Sequence, residues 1–255
     1  MTDFEPIIEV IEEAYEVPHL NATRRISALL PHDYHTTDKK YPVLYLQDGQ
    51  NLFNPLSGFG DWAIDKSMQK LAEEGLSDLI IIAIDHGEQE RIIEYLPYYH
   101  PRFGKGKGNF YIQFMIEKLI PYINNHYRTL TDFEHTGIGG SSMGGLISLH
   151  AGLSNPKVFG KMMIFSPSLW ISRMIFNNTK TFVPLEASKI YLYAGGQESA
   201  EHLPNAQMLE TIIRNKMVKG HNIDFHFSMK ESGNHSEIHW REEFPKAVKW
   251  LFFKL

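Results

Sequence analysis

The sequence predicts an α/β fold: a mostly parallel central sheet with helices on both faces. Three observations carry that expectation. Short apolar β-rich runs alternate with longer stretches of helical spacing along most of the chain, the order that buries a parallel sheet between helices. One run, LIIIAI at 79–84, is apolar on both faces, as a strand covered from both sides must be. Hydrophobic residues make up 43% of 255 positions and charged residues 22%. That suits one domain spanning 1–255 with a large core and argues against disorder.

The elements follow in order. Residues 25–30 (RISALL) alternate polar and apolar side chains ahead of Pro31 and read as a strand, and 43–47 (VLYLQ), after Pro42, as a short buried one. Residues 62–74 have helical spacing, with Gly75 just past the end as a stop. Residues 79–84 form the central strand, and 110–122 a helix with Pro121 near its end. A strand over 136–140 ends abruptly in glycines, and a helix over 146–153 follows. Residues 161–165 (KMMIF) and 190–194 (IYLYA) are further strands, and 201–217 is a long amphipathic helix. Residues 223–229 (IDFHFSM) alternate cleanly, and 242–253 closes the chain as an aromatic-rich helix.

Composition excludes several functions. With 25 Lys+Arg against 30 Asp+Glu the net charge is −5, and no basic block exists to grip a phosphate backbone, so no nucleic-acid partner is expected. The GKGKG segment at 104–108 matches neither phosphate-binding glycine spacing. The absence of cysteine removes thiolate catalysis and thiolate metal sites. The N-terminal run MTDFEPIIEVIEEAYEV carries acids where a signal peptide needs basic residues. No stretch approaches the ~18 apolar residues of a membrane span. The expected location is the cytoplasm, with no membrane partner.

The strongest local signal is GGSSMGG at 139–145, which holds G-x-S-x-G as Gly140, Ser142 and Gly144 between a strand and a helix. A serine on so sharp a turn has strained backbone angles, and its neighbours two positions away must lack a Cβ. The turn raises the hydroxyl above the sheet at a helix N-terminus, where free N–H groups favour developing negative charge.

A serine hydroxyl needs a base, and in this kind of site the chain order is Ser, acid, His. His150 lies inside the following helix, His202 opens a long helix and His226 alternates within a strand. His235, in the turn-rich SGNHS after the 223–229 strand, lies at a strand's carboxyl end, where open α/β sheets build their sites. It is the expected base. His239 lies four residues on, but the sequence between them is not H-E-x-x-H and no third ligand presents itself, so no metal and no cofactor are expected.

Glu198 follows a strand and a glycine turn (YLYAGGQE) and is the first choice of acid, with Glu201 next. The acid holds the imidazole tautomer and stabilises the imidazolium. An oxyanion hole needs two N–H donors. One is Met143, and the other comes from the QDGQNLF loop at 47–53. Gln50 is the first choice there and Asn51 the second.

These residues carry a resemblance. LYLQDGQNLF, RIIEYLP, TGIGGSSMGGLISLHAGLSNPKVFG, SPSLW, YLYAGGQES and GNHSEIHW are similar to segments of the esterase D-like family of α/β-hydrolases. That family includes siderophore, feruloyl and acetyl xylan esterases and S-formylglutathione hydrolases. The likeness runs from Arg25 to Phe252. It implies an α/β-hydrolase fold, with Ser142 as nucleophile, His235 as base and Glu198 as acid. It implies that SPSLW sits beside the nucleophile, with Trp170 either lining the substrate pocket or packed in the core. Asn51 and Arg91 are expected near the substrate. Arg91 and Glu94 either contact a polar substrate or pair with each other. The short segment between Phe165 and Lys189 leaves no room for a large cap domain, so an open site is expected. The loops resemble the siderophore-esterase branch more than S-formylglutathione hydrolase.

The expected function is a serine carboxylic ester hydrolase that forms an acyl-enzyme on Ser142, with a small or polar ester as its small-molecule substrate. An acyltransferase or thioesterase is the enzymatic alternative. A non-catalytic binding protein on a hydrolase fold is the alternative from another class. Tyr95, Tyr98, Tyr99 and Trp170 are candidates for an aromatic-tolerant pocket. Oligomeric state is not legible.

Overall fold

Eight strands build the main sheet of the computed structural model, which describes residues 4–54, 60–184 and 186–253. In chain order they are β1 (Ile7–Val17), β2 (Ala22–Leu30), β3 (Val43–Gln47), β4 (Ile80–Ile84), β5 (Thr136–Ser141), β6 (Lys161–Phe165), β7 (Ser188–Gly195) and β8 (Ile223–Lys230). Their spatial order is β1-β2-β4-β3-β5-β6-β7-β8. β2 is antiparallel to both β1 and β4, and every other pairing is parallel.

Alternation along the strands sends side chains to two cores. In β3, Val43 and Tyr45 join one apolar cluster while Leu44 and Leu46 join the other; in β4, Ile80, Ile82 and Ile84 oppose Ile81 and Ala83. This is the period-two geometry of a strand covered on both faces. The helices longer than one turn are α1 (Ile64–Glu73), α2 (108–126), α3 (Met143–Ser154), α4 (Met174–Thr181), α5 (His202–Val218) and α6 (Glu237–Phe252). α2, α3 and α5 cover one face through residues such as Ile112, Leu146 and Leu209. α1 and α6 cover the other through Leu71 and Phe244. No described helix is long and apolar enough to cross a membrane.

The sequence reading is extended in several places, of which three change an element rather than its ends. The N-terminal segment, read only for targeting signals, is the edge strand β1. Its outward positions carry Glu12, Glu13 and Glu16, and charge on an edge strand discourages pairing with other chains. The 110–122 helix instead runs over 108–126, because a π turn at Met115–Leu119 precedes Pro121 and accommodates its missing N–H. α4 also went unread. It and the short turn Leu169–Ile171 are the helical elements described between β6 and β7, so no cap domain stands there.

The carboxyl ends of the parallel strands converge on one edge, with Asp48, Asp85, Ser142, Ser166, Glu198 and His235 just beyond their respective strands. Asp85 bears a cost of that crowding. Burial pushes its carboxyl up to about 6, against the opposing pull of Arg25 and with help from Glu88. The protonated form therefore suits the fold, and stability is lost as pH rises from the ordinary value of 3.8 through about 6. Asp85→Asn is expected to raise stability at pH 8 by about 1–2 kcal/mol, after discounting for partial solvent screening. At pH 3 the variant and the wild type should unfold alike in urea.

Candidate active site

The turn between β5 and α3 holds Ser142 at φ 57°, ψ −120°, a strained conformation for any residue with a Cβ. Three backbone hydrogen bonds pin it. Ser142 N–H donates to the Phe165 carbonyl at 3.0 Å, and the Ser142 carbonyl accepts from the Leu146 and Ser168 N–H groups, each at 3.0 Å. The flanking glycines are required by close approach. A Cβ on Gly144 would stand 2.7 Å from Asp48 Oδ2 and 3.0 Å from Gln47 Cβ; one on Gly140 would stand 2.9 Å from the Gly144 backbone. Gly144→Ala is therefore expected to cost about 1–3 kcal/mol, seen as a lowered denaturation midpoint, and to reduce turnover by displacing the turn.

The Ser142 hydroxyl lies 3.3 Å from Ser168 Oγ, so SPSLW does lie beside it. Met143 is the first residue of α3, and its N–H has no intrahelical partner. In the β3 loop the Asn51 N–H donates to the Asp48 carbonyl at 2.9 Å, which withdraws it as an oxyanion donor. The Gln50 side chain is anchored instead: Oε1 accepts from His86 N–H at 2.9 Å, and Nε2 lies 3.3 Å from Glu88 Oε1. Among the described residues no acceptor takes the Gln50 backbone N–H.

On the far side, His235 Nδ1 is 2.6 Å from Glu198 Oε2. Glu198 Oε1 accepts from Ser166 Oγ–H and from Gly195 N–H, each at 2.6 Å. Ser166 in turn accepts from the Trp240 indole N–H at 2.9 Å, and the Trp240 ring meets His235 edge to face with centroids 4.9 Å apart. Burial alone would raise the Glu198 carboxyl. The hydrogen bonds from His235 and Ser166, with His202 close by, outweigh it and hold the group below its ordinary value. Glu201 has no such contact with His235. Ser142 and His235 line one cavity of about 560 Å³ together with Asp48, Asn51, Arg91 and Trp240, a size that suits a small-molecule ligand.

This chain matches the family model Esterase, described as "Putative esterase", over residues 18–251. The chain belongs to this esterase family. It is a carboxylic ester hydrolase of the α/β-hydrolase type, acting on small-molecule esters. YbbA of Bacillus subtilis (strain 168) is 25% identical over 256 residues, covering 92% of this chain and 95% of that protein. The BES protein of Bacillus cereus shares the fold with a TM-score of 0.78 at 18% identity, covering 100% of this chain and 96% of that one. The enterobactin esterase FES of Shigella flexneri, solved with enterobactin, has a TM-score of 0.74 at 21% identity, covering 97% of this chain and 58% of that one.

The remaining expected site residues of this esterase are placed differently from one another. Arg91 lines the cavity, but its guanidinium is already engaged: Nε and Nη2 donate to Asp48 Oδ1 and Oδ2 at 2.6 and 2.8 Å. It does not pair with Glu94, which forms a buried ion pair with Arg24. The Arg91 pair pins Asp48, itself at φ 60°, and so fixes the loop that carries Gln50. Trp170 is neither core nor part of the Ser142 cavity. It is 57% exposed, on a neighbouring depression that it shares with Arg173, Glu201 and Met208.

The aromatic pocket is not assembled as expected. Tyr95 is buried in the core, Tyr98 binds His150 and Tyr99 faces solvent. Among the described residues Trp240 is the Phe, Tyr or Trp that lines the cavity, and Ser166 links it to Glu198. Ser166 was visible only as the first serine of SPSLW. Trp240 was visible only as the end of GNHSEIHW. His239 is the third residue of α6, with Nδ1 3.2 Å from Lys230 Nζ.

Proposed function

We propose that this esterase works through an acyl-enzyme on Ser142, with His235 as base and Glu198 as the acid behind it, in one catalytic domain. The observation that carries this is the cavity shared by Ser142 and His235, with Glu198 bonded to the far nitrogen of the same imidazole. Ser142 Oγ attacks the ester carbonyl carbon while His235 Nε2 accepts the hydroxyl proton. The Met143 and Gln50 N–H groups hold the resulting oxyanion. Glu198 keeps the proton of His235 on Nδ1 and stabilises the imidazolium. The imidazolium then protonates the departing alkoxide. Water repeats the attack on the acyl-enzyme, with His235 again taking the proton, and the acid product leaves with Ser142 regenerated.

The substrate is a small or polar ester of the siderophore, feruloyl or acetyl kind. Polar lining by Asn51, Arg91, Glu88 and Glu237 supports this, and so does the likeness to FES and to the ferulic acid esterase of Anaeromyces mucronatus (TM-score 0.68, 22% identity).

A fluorophosphonate that phosphonylates activated serines tests the mechanism. One label per chain is expected, recovered by mass spectrometry on the peptide carrying Ser142, with labelling slowed in His235→Ala. A label on another residue, or equal rates in the variant, removes the mechanism.

A further inference from the structure

His202 meets the site from a direction the sequence did not reveal. It opens α5, is 7% exposed, and places Nε2 3.1 Å from Glu198 Oε2, the oxygen that also holds His235 Nδ1. The approach is close but misaligned: His202 Nε2 is buried and forms no hydrogen bond among the described residues. One ligand atom each from Glu198, His202 and His235 lies within 4.8 Å of the others. Two imidazoles and a carboxylate are a donor set that Zn²⁺ takes at ~2.0–2.2 Å per bond, with water in the fourth position. There is also a way in. His202 lines a depression of about 380 Å³ with Trp170, Ser199, Ala200 and Glu201, and His235 is 40% exposed.

We propose that Glu198, His202 and His235 form an inhibitory site for a borderline transition-metal dication, Zn²⁺ foremost. The inhibitory consequence rests on His235 being the catalytic base; the binding itself does not. A metal bound at Nδ1 displaces the proton there, and in a neutral imidazole that proton moves to Nε2. The ring keeps its charge and its single proton, but the proton now occupies the nitrogen that must accept from Ser142. Glu198 exchanges its hydrogen bond from His235 for a bond to the metal. Substrate can still enter the cavity, so the metal lowers kcat and leaves KM nearly unchanged.

The test titrates Zn²⁺ into the full chain by calorimetry near neutral pH in a non-chelating buffer. It compares wild type, His202→Gln, His202→Asn and, as a control, His239→Gln, with melting curves to confirm folding. Hydrolysis of a neutral aryl ester is followed in parallel. The expected result is one Zn²⁺ per chain with a Kd of roughly micromolar order, weakened about tenfold or more in both His202 variants and unchanged in His239→Gln. Half-inhibition should shift by the same factor, and chelator should restore turnover. No binding at about 1 mM Zn²⁺, or equal affinity in the folded His202 variants, overturns the site. Binding that depends on His202 but leaves ester turnover untouched overturns the inhibition and with it the role of His235 as base. If the chain binds zinc in this way and hydrolyses no ester, the metal site stands and the mechanism proposed above falls.

Discussion

Ester turnover by Ser142→Ala is expected to fall by roughly 10³-fold or more, to the level that oxyanion binding and substrate positioning sustain alone. Among the described residues the hydroxyl makes one hydrogen bond, at 3.3 Å to Ser168, so its removal should barely disturb folding. The backbone supplies an internal control. At φ 57°, ψ −120° both Ser and Ala are strained, whereas Gly is not. Ser142→Gly should be as inactive as Ser142→Ala yet more stable by about 1 kcal/mol. Retained turnover in both variants, measured on a short-chain aryl ester, would remove Ser142 from the mechanism. Equal stability of the two would show that the turn is held without strain.

Glu198→Gln is the second large effect. The carboxylate accepts from Ser166, Gly195 and His235, and an amide cannot accept from all three. With its oxygen kept toward Ser166 and Gly195, the amide NH₂ faces His235 Nδ1 and drives the imidazole proton to Nε2. A fall in kcat of roughly 10³–10⁴ is expected, with KM little changed. A loss below tenfold would show that His235 keeps its tautomer without Glu198. Stability should respond with a definite sign. Burial opposes the Glu198 charge, but the hydrogen bonds prevail and its folded value lies below the ordinary 4.5. Its contribution is therefore present above pH 4.5 and lost as pH falls through the lower folded value. The stability gap between wild type and Glu198→Gln should narrow over that acid range, as read from urea midpoints.

The strand limits show what local pattern can carry. VLYLQ and KMMIF coincide with β3 and β6, because continuous apolar runs bounded by Pro or turn residues have few other uses. G-x-S-x-G located the strained turn at Ser142 because steric demand at Gly140 and Gly144 is local. β1 was missed because an edge strand half covered by solvent alternates acids with apolar residues, and its pairing with β2 is not written in its own composition. Trp170 and the tyrosines show the complementary failure: residue type says that a ring is present but not which way it points.

The sequence by itself carried the α/β class and the glycine-flanked serine turn, and it put Ser142, two candidate acids, Glu198 and Glu201, and His235 in the chain order serine, acid, histidine. Tertiary structure decided which of Glu198 and Glu201 meets His235, that Arg91 serves Asp48 rather than Glu94, and that Ser166, Trp240 and His202 surround the acid. The physical reason lies in the sheet. Glu198 and His235 stand 37 residues apart and meet because β7 and β8 pair side by side. Arg91 and Asp48, 43 apart, meet because β3 and β4 do. Strand neighbours are chosen by packing across the whole molecule, so contacts at their ends exist only once the sheet has formed.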